Sequence, residues 1–251
     1  MKKLILGVMA ILLLTACSKE EEYQPPLELP IVDVPNSEIW YKTTDSQPLI
    51  LPQGNSIFIS YGSVVKMTEH VYENGIGKLI FDGDVTEIYG AFADCSSLKE
   101  VGLPKKVSLI GSLTFKNCSH LEQVRIPDNV SSIESFAFYG CSSLSEVTIP
   151  DAVTLIGYAA FQGCSGLTSL DIPEGVTTIG YGAFCDCAQL KEVYCRPVTP
   201  PFIDTNYSSA NNYDNILDSD IPVYVPENSV EEYASRRWWK SLSLVGYQYE
   251  Q

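Results

Sequence analysis

The sequence predicts a repeat solenoid: a stack of short coils built mostly of strands and turns, closed by a small cap at each end. Two observations predict it. Cysteine recurs every 23 residues, at Cys95, Cys118, Cys141, Cys164 and Cys187, and leucine, isoleucine, valine and phenylalanine keep the same interval. A fixed repeat of this length is typical of coils that stack on one another. The composition, 45% hydrophobic and 19% charged, is that of a soluble folded protein.

Residues 1–16 have the features of a signal peptide. Lys2 and Lys3 precede the apolar stretch LILGVMAILLL, which is too short to span a bilayer comfortably. The LTAC that follows resembles the lipobox of bacterial lipoproteins, which implies cleavage before Cys17 and lipidation of that residue. The acyl chains would be the protein's one attachment to a membrane. A plain secretory signal and a membrane anchor are the alternatives.

Residues 17–36 are predicted to form a flexible tether. The stretch SKEEEYQPPLELPIVDVP is first charged and then proline-rich, with no periodicity, which favours an extended chain. Ser18 followed by three glutamates at 20–22 resembles the acidic signal that sends some Bacteroides-type lipoproteins to the outer face of the outer membrane. The expected location is therefore an outer-membrane lipoprotein exposed at the cell surface, with the periplasmic face as the alternative.

Residues 76–201 are predicted to form the coils, each with one strand, turns and about one helical turn. Apolar residues alternate in the second half of LxxVxI, which indicates a strand, and the proline that follows ends it. VxxI then turns the chain, and AFxGC is long enough for only one helical turn. A coil cannot bury its apolar side chains alone, so neighbouring coils must share a core. The first full unit has its core positions at Leu98, Val101, Leu103, Val107, Ile110 and Phe115.

An earlier unit begins near Ile76, with Leu79, Phe81, Val85, Ile88 and Phe92 in phase, and is one residue short.

The repeated cysteines have three possible explanations: a stacked core, disulfides or a metal site. A residue in phase with leucine and phenylalanine is expected in the same buried stack, because free cysteine behaves as a small apolar side chain. Disulfides between coils stay open in an oxidising compartment. Zinc is disfavoured, because its sites take four ligands at short spacings. Cys185 and Cys187, with Cys195 nearby, are the one tight group, and core packing is again the prediction for Cys195.

The unit CSSLSEVTIPDAVTLIGYAAF resembles the BspA-like leucine-rich repeat, a family abundant among secreted and surface proteins of Bacteroides-type bacteria and some protozoa. The resemblance covers about residues 76–200. IPVYVPENSVEEYASRRWW resembles the family's closing segment, and NSEIWYKTTDSQPL its opening. The resemblance implies an α/β solenoid of the leucine-rich-repeat type, used for recognition and adhesion to host proteins, without catalytic residues.

Residues 37–75 are the predicted N-terminal cap, which covers the first coil. EIWYK and SIFIS are predicted strands on either side of a TTDSQ turn. Trp40 and Tyr41 are expected to pack over the first coil.

Residues 202–251 are the predicted C-terminal cap. It begins with a polar loop, DTNYSSANNYDNILDSD, and continues with a strand, IPVYVP. Ser229 and Glu232 predict a capping box for a helix that runs from Val230 to about Trp238. Two pairs of residues are alternatives for the side that faces the last coil: Tyr233 with Trp239, or Val230 with Trp238.

No catalytic residue, cofactor or metal site is predicted. The chain has two histidines, His70 and His120, and no nucleophile motif accompanies either. Asp82, Asp84 and Glu87 resemble part of a calcium loop whose remaining ligands are missing, so a tight turn is the prediction there. The protein is therefore expected not to be an enzyme.

The expected function is binding of a protein or glycan through the outer side of the strands. A formal net charge of −15 argues against nucleic acid as the partner. Side chains between the inward ones on each strand are expected to line up across coils into a binding face. A structural or accessory role in the cell envelope is the alternative. The oligomeric state is not predicted. The candidate ligand-binding residues are Glu100, Gln123, Arg125, Glu146, Thr148, Ser169, Asp171, Glu192 and Tyr194.

Overall fold

The structure is a computed structural model that describes residues 34–51, 65–205, 216–218 and 220–249. The predicted signal peptide, the lipidation residue Cys17, most of the tether, the SIFIS segment and part of the loop after 204 lie outside the described residues.

The described residues form short strands and one helix of six residues, α1 (Val230–Ser235), with 3-10 turns at Glu227–Ser229 and Trp239–Ser241. In chain order the strands are β1 (Glu38–Thr43), β2 (Met67–Glu73), β3 (Ile76–Phe81), β4 (Glu87–Ile88), β5 (Leu98–Gly102), β6 (Leu109–Ile110), β7 (Gln123–Arg125), β8 (Ser132–Ile133), β9 (Leu155–Ile156), β10 (Ser169–Ile172), β11 (Thr178–Gly180), β12 (Glu192–Cys195), β13 (Phe202–Asp204), β14 (Pro222–Pro226) and β15 (Ser243–Tyr247). The predicted solenoid of leucine-rich-repeat type, mostly β with small caps, is confirmed.

A second ladder of strands runs along the solenoid where the sequence predicts only a turn. The VxxI segments form two- and three-residue strands that pair in parallel with one another and with β13, in the order β13-β11-β9-β8-β6-β4. The turn prediction was wrong because the backbone of each segment has a partner 22–24 residues away, as where Ile133 pairs with Ile156. Position 157, directly after β9, requires glycine, since a Cβ on Gly157 would lie 2.5 Å from the backbone of Glu134.

The AFxGC segments are successive turns, and the predicted helical turn is absent from them. Lys116 N–H donates to the Leu113 carbonyl three residues back, while Phe115 N–H donates across coils to Ala137 at 2.7 Å. A left-handed residue ends each segment: Asn117 at φ 58° and Gly140 at φ 72° are two of them. A right-handed helix cannot continue through that conformation.

The core is a column in which each coil adds the same side chains to those of its neighbour. Phenylalanine rings stack along it with centroids 5.0–5.7 Å apart, and all are fully buried. Such contacts contribute about 0.5–1.5 kcal/mol per pair beyond the area that they bury. The stacked rings are Phe92, Phe115, Phe138, Phe161 and Phe184.

The seven described cysteines are free and buried, which confirms that the repeated thiols belong to the core. The five thiols that recur every 23 residues also donate to backbone carbonyls. Cys141 Sγ–H donates to the carbonyl of Phe115 in the preceding coil at 3.1 Å, and Cys118 and Cys164 donate in the same way at 3.0 and 3.1 Å. Cysteine at this position therefore fills apolar space and joins two coils through a weak hydrogen bond.

We expect the repeat thiols to react with Ellman's reagent only when the solenoid unfolds. Burial raises the pKa of Cys95 from 9.0 to about 11, which lowers the thiolate fraction about a hundredfold at neutral pH. Burial also raises the pKa of Cys187 to about 12. The assay compares the Cys17→Ala chain with and without urea. Rapid reaction of a repeat thiol in the folded protein would contradict the buried stack.

The strands of the LxxVxI segments and of the caps form two sheets, ordered β2-β3-β1-β5-β7 and β10-β12-β14-β15. The coil between them forms no strand, so the predicted strand through Glu146 and Thr148 was wrong. A parallel ladder of about three residues is weak by itself. The caps reinforce it at the ends, where β1 pairs with β5 and β14 with β12. The middle coil has neither cap strand, and its Val147 is only half-buried.

The N-terminal cap inserts its first strand into the sheet. β1 pairs antiparallel with both β3 and β5, so it separates the short first unit from the first full one. Tyr41 on β1 is fully buried, and its hydroxyl accepts a hydrogen bond from Leu49 N–H at 3.1 Å and contacts His70 Nε2 at 2.5 Å. Trp40, on the opposite side of the strand, is half-buried and faces outward.

We expect His70 to weaken the fold in acid. Burial lowers the pKa of His70 below the usual 6.5, so below about pH 6.5 the unfolded chain binds more protons than the folded one. The free energy of unfolding therefore falls as the pH drops from about 6.5 toward the folded pKa. Urea titrations from pH 8 to pH 5 should show this loss in the wild type and less of it in His70→Gln. Equal pH profiles would contradict it.

The C-terminal cap closes the column with two aromatic side chains. Tyr233 and Trp239 are buried, with ring centroids 4.9 Å apart in an edge-to-face arrangement. Tyr233 Oη donates to the Pro197 carbonyl at 2.7 Å, and Trp239 Nε1 donates to Pro201 at 2.9 Å. The first of the two predicted pairs therefore faces the last coil.

The capping-box prediction was wrong. Ser229 makes no side-chain capping bond, and Glu232 instead pairs with Arg236 at 2.8 Å. The α-helix ends at Ser235 rather than near Trp238, because Arg236 adopts an extended conformation.

Candidate ligand-binding surface

The outer strand face consists of the side chains that point away from the core on β1, β5, β7, β10, β12, β14 and β15, together with Glu146 and Thr148 of the strandless coil. Parallel pairing places equivalent residues side by side: Glu100 beside Gln123, and Asp171 beside Tyr194. All nine predicted residues lie at least partly in solvent. Strand pairing places Glu100, Gln123 and Arg125 in one sheet and Ser169, Asp171, Glu192 and Tyr194 in the other, and Glu146 and Thr148 belong to the coil between them.

The middle of the outer strand face is polar and exposed. Gln123, Arg125, Glu146, Thr148 and Ser169 are all exposed. They come from three successive coils and alternate with apolar residues that point toward the core, which fixes their spacing.

The N-terminal end of this face is covered by the cap. Lys42 Nζ lies 3.0 Å from Glu100 Oε2, and both side chains are mostly buried, with 14% and 19% exposed. Trp40 joins the face beside Gly102, and Lys78 Nζ lies 4.4 Å from the centre of its ring. Glu100 therefore holds the cap, and Trp40 and Lys78 are surface residues that the sequence prediction missed.

The C-terminal end carries a group that we call the tyrosine cluster: Tyr194, Tyr224, Tyr247 and Tyr249. Tyr194 and Tyr224 are cross-strand neighbours whose rings stack at 4.9 Å. The Tyr247 ring stands edge-on to both, at 5.5 and 6.0 Å. Tyr249 packs against Tyr247 at 4.9 Å and donates its hydroxyl to the Tyr224 carbonyl at 2.9 Å.

Charges surround the tyrosine cluster. Arg196 binds both carboxylate oxygens of Asp171, which raises the pKa of Arg196, and its guanidinium lies 5.6 Å from the Tyr249 ring centre. Glu192 accepts a weak hydrogen bond from Tyr194 at 3.4 Å. Because Asp171 and Arg196 neutralise each other, the net charge beside the rings is negative.

The repeat identifies the protein's family. The profile of the BspA type leucine rich repeat region matches residues 72–208 in six copies. The chain belongs to the BspA-type leucine-rich repeat family. Leucine-rich solenoids generally act in protein binding and typically are not enzymes.

Several solved bacterial proteins resemble these BspA-type repeats. A T. pallidum leucine-rich repeat protein is 35% identical over 50% of this chain and 60% of its own, with a TM-score of 0.47. A leucine-rich repeat protein from Bacteroides ovatus is 25% identical over 64% of this chain and 56% of its own, with a TM-score of 0.41. The pneumococcal vaccine antigen PcpA is 20% identical over 66% of this chain and 40% of its own, with a TM-score of 0.48.

The matched region therefore spans three fifths or less of these solved chains. Among curated proteins, none matches the sequence of this BspA-type protein.

The other candidate site residues of this BspA-type protein do not come together into a site within the described residues. Within the described ranges, no group of three histidine, cysteine or acidic side chains is placed to hold a metal. Asp82 accepts a hydrogen bond from Lys66 N–H, and Asp84 pairs with Lys106 at 2.5 Å, as in a surface turn. His120 is exposed. No described helix is long and apolar enough to cross a bilayer.

The tyrosine cluster was only partly visible in the sequence of the BspA-type repeats. The predicted strand IPVYVP alternates inward valines with Tyr224, so period-two alternation alone assigns Tyr224 to the outer face. Both other tyrosines lie beyond the repeat. Tyr247 ends β15, a strand without clear alternation, and Tyr249 follows it, so no periodic signal assigns either to a side.

Proposed function

We propose that this protein is a non-enzymatic, lipid-anchored surface protein that binds a host extracellular protein or a glycan through the outer strand face. Acylation of Cys17 would attach it to the outer membrane, and the tether would hold the solenoid away from the bilayer.

One observation carries the proposal: exposed polar side chains stand at fixed intervals across several coils, on a scaffold whose core fixes their positions. Such an array offers many preorganised contacts to a large partner, which reduces the entropy lost on binding. Family membership supports it, since leucine-rich solenoids generally present binding surfaces.

Binding is tested with the Cys17→Ala chain against a panel of extracellular-matrix proteins and a glycan array. Thr148→Arg introduces a bulky charge in the middle of the face and should reduce binding at least about tenfold. Thr154→Arg is the matched control, since Thr154 is an exposed threonine of the same coil, directly before β9. Equal loss in both variants, or no specific binder, would count against the proposal.

Location is tested separately by protease treatment of intact cells. A surface lipoprotein should be digested in the wild type, and Cys17→Ala should release the protein from the membrane fraction. Complete protection from protease in intact cells would favour the periplasmic, accessory role instead.

A further inference from the structure

The last strand, β15, is an uncharged sheet edge. Six strands form sheet edges in the described residues, and five of them carry a charged side chain: Glu69 on β2, Arg125 on β7, Asp171 on β10, Asp204 on β13 and Glu87 on β4. β15, SLVGY, carries no charge, proline or bulge. Charges, prolines and bulges are the devices by which proteins keep sheet edges from pairing with other chains.

The surroundings of β15 leave it accessible within the described residues. Four of its five residues are exposed, and the apolar Val245 and Tyr247 are 38% and 39% exposed. The crossover before β15 packs on its core side, since a Cβ at Gly246 would lie 3.2 Å from Val230 Cγ2. β15 pairs along its whole length with β14, and no described strand pairs with its other edge.

We propose that β15 and the tyrosine cluster together bind an extended, basic segment of a partner protein as an additional strand. The main chain of β15 supplies hydrogen bonds, as in other strand-addition complexes. Tyrosines supply rigid aromatic contact area with few rotatable bonds, which is why they are common at binding hot spots. The inference rests on the proposed function, because this site is the C-terminal end of the outer strand face.

Charge decides the kind of partner. The Glu192 carboxylate contacts the cluster at Tyr194. The Glu227 carboxylate lies beside β15 on the Gly246 side, where it accepts a hydrogen bond from Gln248 at 2.6 Å. Arg196 is paired with Asp171. A second copy of this chain would bring the same carboxylates together in a protein of net charge −15. A segment with lysine or arginine at alternate positions instead complements them.

The test uses a capped octapeptide of alternating lysine and valine, with fluorescence anisotropy on the Cys17→Ala chain. Three probes separate the contributions: the peptide itself, the same peptide N-methylated at alternate residues, and a glutamate–valine version. N-methylation removes main-chain donors and should weaken binding at least about tenfold, as should the change of charge. Equal binding of the methylated peptide would overturn strand addition, and equal binding of the glutamate version would overturn the basic partner.

Protein variants locate the site. Tyr247→Ala should weaken binding of the lysine–valine peptide at least about tenfold, whereas Tyr139→Ala, at a half-buried tyrosine on a turn segment, should leave it within about twofold. Glu192→Gln with Glu227→Gln should weaken it at low salt and make it less salt-dependent. Equal effects of the two tyrosine variants would overturn the assignment, with circular dichroism confirming that both fold.

Two further outcomes are distinct. A wild-type dimer in sedimentation equilibrium that Tyr247→Ala dissociates would overturn the inference in favour of a second copy. No peptide binding at all would also overturn it, yet would leave the proposed function standing if Thr148→Arg still abolished binding of a matrix protein or glycan.

Discussion

Replacing Phe138 by alanine is expected to lower the free energy of unfolding by about 3–5 kcal/mol. Phe138 is fully buried in the middle of the ring column, stacked on Phe115 at 5.1 Å and on Phe161 at 5.0 Å. The substitution removes the buried ring and leaves a cavity between two coils. Neighbouring backbones cannot close it, because inter-coil hydrogen bonds such as Phe138 N–H to Ala160 at 2.7 Å hold their spacing.

The measurement is urea unfolding followed by far-UV circular dichroism. Phe138→Leu is the control, since it keeps most of the apolar volume and should cost clearly less than alanine. Coupling between coils carries the stability of a solenoid, so the alanine variant should also unfold less cooperatively. If alanine cost no more than leucine, the ring column would not be the main contact between coils.

The column itself was predictable from the sequence, and the reason is physical. Residues equivalent to Phe138, Cys141 and Ile133 recur from coil to coil. Because a buried side chain packs against the equivalent side chain of the next coil, the regular recurrence of an apolar residue predicts that the position is buried. In the C-terminal cap the sequence left two pairs of residues open for the side that faces the last coil, and Tyr233 with Trp239 was one of them. A single short helix has no repeat that would fix its orientation.

Pairing between distant segments was not predictable. Nothing in the sequence of β1 indicates that it would insert antiparallel between β3 and β5, since such pairing depends on contacts about 40–60 residues apart in the chain. The backbone conformation of the turn segments was not predictable for another reason. Leu113 and Phe136 adopt left-handed φ values of 64° and 59°, where inter-coil hydrogen bonds outweigh a local preference for glycine.

The outer strand face, too, was predictable in its repeat positions and not in the residues that the caps add. Period-two alternation placed Gln123 and Tyr194 on strands, as the structure has them, whereas the strand that it predicted through Thr148 is absent. It could not show that Lys42 covers Glu100, or that β15 adds Tyr247 to the cluster. Cap strands bring those residues in from outside the repeat.

Replacing Trp239 by alanine is expected to destabilise the protein by about 3–5 kcal/mol, mainly by loosening the C-terminal cap. Trp239 is 1% exposed, packs edge-to-face on Tyr233, and donates its indole N–H to the Pro201 carbonyl. Its loss opens the end of the column to water. Because terminal caps keep the last coil of a solenoid covered, the variant should bind a hydrophobic dye such as ANS before it unfolds globally.

Trp239→Phe is the matched control. It keeps an aromatic ring against Tyr233 and removes the N–H donor to Pro201, so it should cost about 1–3 kcal/mol and bind little dye. Native-state hydrogen exchange measures the loss of stability in each part of the chain. In Trp239→Ala, amides of β14 and β15 should exchange faster, while those of β6 and β8 should change much less. Only neighbouring coils are coupled directly. Uniformly faster exchange along the whole solenoid would instead show that the cap and coils unfold as one unit.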